Sequence, residues 1–218
     1  MYLTAIRPDI MYAVSLLSRY MHCASENHFQ AAKRILRYVK GTLDYGIRFV
    51  RVKSFSLLGY SDSDWAGCVD DMRSTSGYCF TMGSGTFSWC SKKQEVIAQS
   101  TAEAEYIDVA AAVNQTIWIR KLMTDLHMIQ TESTKIFVDN QAAISIANDP
   151  VFHGRTKHFK IKFFYLREVQ KDGEVQLVYY RTEHQNADIL TKTLPKARFE
   201  FMRKRGLEYA APVSRRSV

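Results

Sequence analysis

Leu57-Leu58-Gly59-Tyr60-Ser61, running into Asp62, is the stretch on which the fold turns. Before it, apolar residues recur at helical spacing; from Ser56 onward they gather into short runs of strand length. Ser76 to Met82 and Thr86 to Cys90 read as the second and third strands, with Gly83-Ser84-Gly85 as the turn between them. Three short strands in succession predict an antiparallel meander.

Downstream, Ser100-Thr101-Ala102-Glu103 has the S-x-x-E form of a capping box. It opens a segment in which Ala102, Tyr106, Val109, Val113 and Ile117 share one broad face, predicting a helix of about 20 residues or more. Lys135 to Val138 reads as a fourth strand and Asn140 to Asn148 as a short helix. A helix starting at Thr156 or Lys157 runs to Lys171-Asp172-Gly173, Glu174 to Tyr180 is the fifth strand, and Ala187 to about Arg205 is helical with a bend at Pro195. Upstream, Ile10, Val14, Leu17 and Met21 mark one helix, and Ala32, Ile35, Leu36 and Val39 a second that ends at Gly41. Two helices alone make a poor core, so this segment is a docking appendage or the remnant of a larger domain.

The whole chain has 218 residues with 30 Lys+Arg against 22 Asp+Glu, a net charge of +8. With only 10 Gly and 4 Pro, collagen-like and disordered classes are excluded. The charge is uneven: residues 1–50 carry seven basic against three acidic side chains, 51–149 eight against twelve, and 150–218 fifteen against seven. An acidic middle between basic ends suits a site that gathers cations beside surfaces that attract a polyanion, or ordinary solvated faces. Cys23, Cys68, Cys79 and Cys90 lack the close pairs of a zinc site and the density of a disulfide scaffold. No apolar run approaches the roughly 20 residues of a membrane span, and the N-terminus has no signal-peptide pattern. The expectation is a soluble, intracellular chain, cytoplasmic or nuclear, with no membrane partner.

Four acids fall at element ends. Asp62 follows the first strand, Glu105 lies in the first turns of the long helix, Asp139 ends the fourth strand and Asp188 starts the last helical stretch. Acids so placed can converge on hard cations such as Mg²⁺, and a pair of ions about 4 Å apart is the arrangement that hydrolyses phosphodiesters. Spacing alone leaves alternatives open, because an acid in a first helical turn is favourable in itself. Asp64 competes with Asp62, and Glu103 with Glu105, although Glu103 occupies the capping position and can be spent on the helix start. Asp70-Asp71 lies between the first two strands and reads as a loop decoy.

Seven ordered motifs then carry a resemblance: Tyr60-Ser61-Asp62-Ser63-Asp64-Trp65-Ala66-Gly67, Arg73-Ser74-Thr75-Ser76-Gly77-Tyr78, Trp89-Cys90-Ser91-Lys92-Lys93-Gln94, Ser100 to Tyr106, Val138-Asp139-Asn140, Arg155-Thr156-Lys157-His158 and Ala187-Asp188-Ile189-Leu190-Thr191-Lys192. The sequence resembles the ribonuclease H domain of copia-type LTR retrotransposon Pol polyproteins. Tyr2 to Ile10 and Ala32 to Tyr38 also resemble the end of that family's reverse transcriptase. The resemblance implies an α/β, ribonuclease H-like fold: a five-stranded mixed sheet with helices on both faces, preceded by a small helical segment. It divides the chain into a helical reverse transcriptase remnant over 1–50, a ribonuclease H-like domain over 51–195, and a helix extension with a disordered tail over 196–218. It also implies endonucleolytic cleavage of the RNA strand of an RNA–DNA hybrid. Two Mg²⁺ ions, replaceable by Mn²⁺, would be held by Asp62, Glu105, Asp139 and Asp188, with Asp62 and Asp139 as bridging ligands.

His184 is a candidate proton shuttle four residues before Asp188, or an exposed bystander. Lys92, Lys93, Gln94, Arg155, Lys157 and His158 are candidate nucleic-acid contacts, as is Asn140, which can instead start the following helix. Trp65 and Trp89 could touch sugars or pack at the rim. Phe164 stands where relatives commonly have histidine, and Lys160 where an acid is common. The polymerase aspartates are absent, so no polymerase activity is expected; the polymerase part of a reverse transcriptase is a candidate partner. The internal start suggests a fragment, a genomic remnant or a domesticated piece, and the rival to an active nuclease is a silent remnant or a binding module.

Overall fold

The computed structural model describes residues 2–51, 56–148 and 157–206; the side chains of 157–163, 205 and 206 are outside what is described. In chain order the elements are α1 (Met11–Ser18), α2 (Glu26–Lys40), β1 (Leu57–Ser63), β2 (Thr75–Met82), β3 (Gly85–Lys93), α3 (Thr101–Asp125), β4 (Thr134–Val138), α4 (Gln141–Asn148), α5 (Lys157–Lys171), β5 (Val175–Tyr179) and α6 (Lys196–Gly206). Short 3₁₀ turns at Pro8–Ile10, Thr182–His184 and Asn186–Leu190 link some of them.

The strands form one sheet in the order β3-β2-β1-β4-β5. β1, β2 and β3 pair antiparallel, as the meander predicts, while β4 pairs parallel to β1 and β5 parallel to β4. Parallel pairing requires a crossover, and α3 supplies it between β3 and β4. β1 is therefore the central strand, and the acid near its end is flanked on both sides.

Each face of the sheet buries its own apolar set, because successive strand residues point to opposite sides. On one face, Phe80 and Ile136 pack with Tyr106, Val109 and Val113 of α3 and with Leu166 of α5. Gly59 lies among them: a Cβ there would sit 2.9 Å from the Phe80 ring, so only glycine lets the ring cross the strand. On the other face, Cys79 packs with Ile189, Leu190 and Met202, joined by Met11, Tyr60, Trp89 and Phe199. Burying aromatics of this size is worth about 1.5–3 kcal/mol each, and both faces need their cover.

α3 begins where expected. Ser100 Oγ accepts from the Glu103 backbone N–H at 3.2 Å, while Glu103 Oε2 accepts from the backbone N–H of Gln99 at 2.7 Å. Glu103 is thereby committed to the helix start, one residue earlier than a strict capping box would place it.

Between residues 2 and 40 the chain is mostly helical, and this segment is bonded to β2 and β3. Trp89 Nε1 donates to the Thr4 carbonyl at 2.9 Å, Ser15 Oγ to the Ser91 carbonyl at 3.0 Å and Arg19 to Thr75 Oγ1 at 3.0 Å. A buried network ties the segment to the other end of the chain: Arg7 pairs with Asp9 at 2.8 Å, Tyr38 donates to Asp9 at 2.6 Å, and Arg203 of α6 donates to Tyr38 at 3.0 Å. The apolar stripes read from the sequence are less buried than their spacing predicts. α1 ends at Ser18, which leaves Met21 in a separate exposed turn, and Leu36 of α2 is exposed.

The last helical stretch is also broken. Asn186–Leu190 is a 3₁₀ turn, and α6 starts only at Lys196, its first bond running from Phe199 N–H to the Pro195 carbonyl. Pro195 has no N–H to continue a helix from the preceding turn. The interruption lets Thr191 and Lys192 double back toward β1.

Candidate metal centre

β1 sends Ser61 and Asp62 to opposite faces. Ser61 Oγ donates to Asp108 Oδ2 of α3 at 2.5 Å, which pins α3 to β1 below the site. Asp62, 1% exposed, faces the 190s segment and accepts from Thr191 Oγ1. Its cross-strand partner in β2 is Gly77, where a Cβ would lie 2.5 Å from Thr191 Cγ2 and 2.8 Å from Leu190 Cβ. The missing side chain at Gly77 is what allows the turn carrying Asp188 onto the sheet. Gln185, fully buried, donates to the Ser61 carbonyl at 3.0 Å and the Phe137 carbonyl at 3.2 Å, fastening β1 to β4 just short of their two acids.

Glu105, in the second turn of α3, and Asp139, one residue past β4, complete a cluster with Asp62: one carboxylate oxygen from each lies within 4.8 Å of the other two. Glu105 Oε2 and Asp139 Oδ1 are buried without a hydrogen-bond partner. Three converging carboxylates, two of them with an unsatisfied buried oxygen, fit a hard divalent cation, which takes oxygen ligands and repays their desolvation.

The protonation equilibria show the same crowding. Burial, with Asp188 and Asp139 nearby, pushes Asp62 up to about 7, although Lys192 and the Thr191 hydroxyl oppose the shift. Glu105 is held well above the usual carboxylate range by burial and then by Asp62 and Asp139. Asp139 is raised by burial against a bond from Thr182, and Asp108 is raised strongly by burial.

Asp188 is placed differently. It is 1% exposed, but Lys192 Nζ stands 2.9 Å from its Oδ1 and Arg198 Nη2 2.6 Å from its Oδ2. Lys192 also reaches Asp62 Oδ2 at 3.3 Å. Of the four acids expected together, three meet and the fourth is joined to them through an ammonium. Sequence reasoning had no role for Lys192, Arg198, Asp108 or Gln185. Lys192 was visible as the last residue of the Asp188 motif, at i+4; Arg198 left no local signal, because its approach depends on the break before α6.

The competing acids resolve without the site. Asp64 accepts from the Thr75 backbone N–H and caps the turn after β1. Asp71 pairs with Lys93 at 2.7 Å, and Asp70 accepts from Tyr20 at 3.0 Å, both in the loop between β1 and β2. Lys92 is exposed at the end of β3 and pairs with Glu95 at 3.1 Å. Gln94 is buried, its amide donating to Ser63, Ser76 and the Ala104 carbonyl, so its nitrogen serves the fold. Asn140 Oδ1 accepts from Ala142 N–H at 2.9 Å and Ala143 N–H at 3.2 Å, which makes it the cap of α4. His184 sits in the Thr182–His184 turn, its ring 6.3 Å from that of Tyr180. Trp65 is half exposed and donates to the Ala98 carbonyl at 3.2 Å. Arg155 lies outside the described residues; Lys157 and His158 open α5, and their side chains lie outside them too.

A mixed five-stranded sheet with acids gathered at the ends of β1 and β4 defines an α/β protein of the ribonuclease H-like class. The chain belongs to the retrovirus-related Pol polyproteins of copia-type LTR retrotransposons. It is 41% identical over 212 residues to the Pol polyprotein from transposon RE2 of Arabidopsis thaliana, covering 97% of this chain and 15% of that one. It is 36% identical over 198 residues to the corresponding polyprotein from transposon TNT 1-94 of Nicotiana tabacum, covering 91% and 15%. The chain therefore spans about a seventh of these relatives. No protein-family model matches it. Among solved structures, LC11-RNase H1 in complex with an RNA/DNA hybrid aligns at 16% identity and a TM-score of 0.45, over 62% of this chain and 94% of that one. Among the described residues no helix is long and apolar enough to cross a membrane.

Proposed function

We propose that this chain cleaves the RNA strand of RNA–DNA hybrids endonucleolytically, as a retroelement Pol-derived ribonuclease H dependent on divalent cations. The observation that carries the proposal is the convergence of Asp62, Glu105 and Asp139 with buried oxygens of Glu105 and Asp139 left unpartnered. Those three residues would hold one ion and Asp62 with Asp188 a second, which makes Asp62 alone the bridging ligand in place of the Asp62–Asp139 pair that the resemblance implies. Mg²⁺ or Mn²⁺ bound there lowers the pKa of water and neutralises charge gathering on the phosphate.

The chain's own residues supply the rest. Burial of Asp62, Glu105 and Asp188, with Asp139 partly buried, excludes bulk water from their inner side and strengthens the charge interactions at the site. Attack of water on phosphorus, with loss of the bond to the 3′ oxygen, leaves a 3′-hydroxyl and a 5′-phosphate. His184, on the segment leading to Asp188, is the group proposed to exchange the proton with solvent. Lys92 and Lys93, with Arg155, Lys157 and His158, are proposed to meet the sugar-phosphate backbones. Asn140 stands beside Asp139 and could meet a 2′-hydroxyl only with the capacity its capping bonds leave. The polymerase portion of a reverse transcriptase is the proposed protein partner.

The test is product analysis on a labelled hybrid in Mg²⁺, beside single-stranded RNA and duplex DNA. Fragments ending in 3′-hydroxyl and 5′-phosphate from the hybrid alone support the proposal. Cutting of all three substrates, or tight hybrid binding without turnover by folded protein, assigns the chain to another nuclease class or to a binding module.

A further inference from the structure

Asp62 belongs to two neighbourhoods. On one flank its carboxylate meets Glu105 and Asp139, whose Oε2 and Oδ1 lack partners. On the other, Lys192 Nζ lies 3.3 Å from Asp62 Oδ2 and 2.9 Å from Asp188 Oδ1, bridging the two acids as a bound cation would.

We propose that Lys192 is a resident occupant of the Asp62–Asp188 half of the centre, and that it must swing out before a second divalent ion enters, so the two ions load in a fixed order. The inference rests on reading the carboxylate cluster as a metal centre; it does not depend on hybrid cleavage. Three features make the exchange workable. The Lys192 side chain is 36% exposed, so its flexible four-carbon stem has a way out to solvent. When it leaves, Asp188 keeps Arg198 at 2.6 Å and Asp62 keeps the Thr191 hydroxyl, so neither acid is stranded. The ammonium is also a genuine competitor, because it stands 3.3 Å from Asp62 Oδ2 and 2.9 Å from Asp188 Oδ1, the two oxygens a second ion would need. The Glu105 side offers the first ion carboxylate oxygens with no internal donor to displace.

Calorimetric titration with Mn²⁺ alone tests this on the full chain. The parent should bind two ions in resolved steps, the second at least about tenfold weaker than the first. Lys192→Met should tighten the second step about tenfold and change the first little, whereas Arg198→Met, which removes a charge without vacating the bridge, should tighten the second step less. Equal tightening of both steps by both variants would be a plain charge effect and would overturn the proposal. A readout on the parent guards against a misfolded variant: acetylation of Lys192, followed by mass spectrometry, should stay slow through the first step and rise with the second. Unchanged reactivity through both steps also overturns it. Two ordered steps without hybrid cleavage would refute the nuclease reading and leave this one standing; no Mn²⁺ binding would refute the metal centre and this inference with it.

Discussion

The two flanks of Asp62 satisfy their buried charge in opposite ways. Toward Glu105 and Asp139 the protein leaves carboxylate oxygens unpaired, whereas toward Asp188 it provides Lys192 and Arg198 at 2.9 and 2.6 Å. A carboxylate buried without a partner is costly, and a native fold keeps one where a ligand repays the cost or where the group stays protonated. A carboxylate with two cations is internally compensated and gains less from a further one. The difference marks the Glu105 flank as the receptive one and the Asp188 flank as the regulated one.

Acid–base behaviour gives the largest effect that separates the flanks. Asp62 is raised to about 7, and Glu105 and Asp108 are raised as well, so the folded state holds more protons than the unfolded one between pH 4 and about 7. Stability of the metal-free protein should be full below the unfolded carboxylate values and should fall as pH rises toward 7. Saturating Mn²⁺ should reverse much of that fall. Asp71, held down to about 2 by Lys93, acts in a separate window below pH 4 and with the opposite sign. Thermal melts across pH 4 to 8 decide the matter, and a melting temperature that climbs steadily to pH 7 without metal would show that the buried acids are not held protonated in the folded state.

Next in size, Glu105→Gln should weaken the first Mn²⁺ step by about 100-fold, the scale expected when a centre loses part of its ligand architecture. Asp188→Asn should leave that step within a few-fold. Calorimetry of the two variants sharpens the contrast, and equal losses would erase it. Gly77→Ala puts a methyl 2.5 Å from Thr191 Cγ2 and should cost about 2 kcal/mol by overpacking, read as a lower urea midpoint. It should also disturb the second ion more than the first, since the displaced turn carries Asp188. The smallest effect belongs to Asn140→Ala: loss of the α4 cap should cost about 1 kcal/mol. Retained hybrid cleavage would identify Asn140 as a cap alone, and a large drop in turnover would restore it as a substrate contact.

Much of this arrangement was legible in the residues, and its limits have physical causes. Strand alternation and the Ser100 start signal locate β1 to β3 and α3 because both depend on neighbours in sequence. The parallel placement of β4 beside β1 depends on a long crossover, which no local pattern encodes. The four acids could be named from their motifs, but their division into three and one arises from Lys192 reaching back across the break before Pro195 and from Arg198 on a later helix. Gln94 reads as a polar member of a basic patch, and only the packing of α3 on the sheet turns its amide inward. The helical stripes over 1–50 predict more burial than they receive, since periodicity reports a face and not what covers it.

The central claim is that Asp62, Glu105 and Asp139 form a working metal centre for hybrid hydrolysis. Its most direct test is cleavage of a labelled RNA–DNA hybrid in Mg²⁺ by the purified chain and by its Asp139→Asn variant, with folding of both confirmed by cooperative melts. The parent should cut the hybrid specifically, and the variant should lose on the order of 10³-fold in rate. A folded parent that leaves the hybrid intact, or a variant that cuts as well as the parent, would contradict the claim.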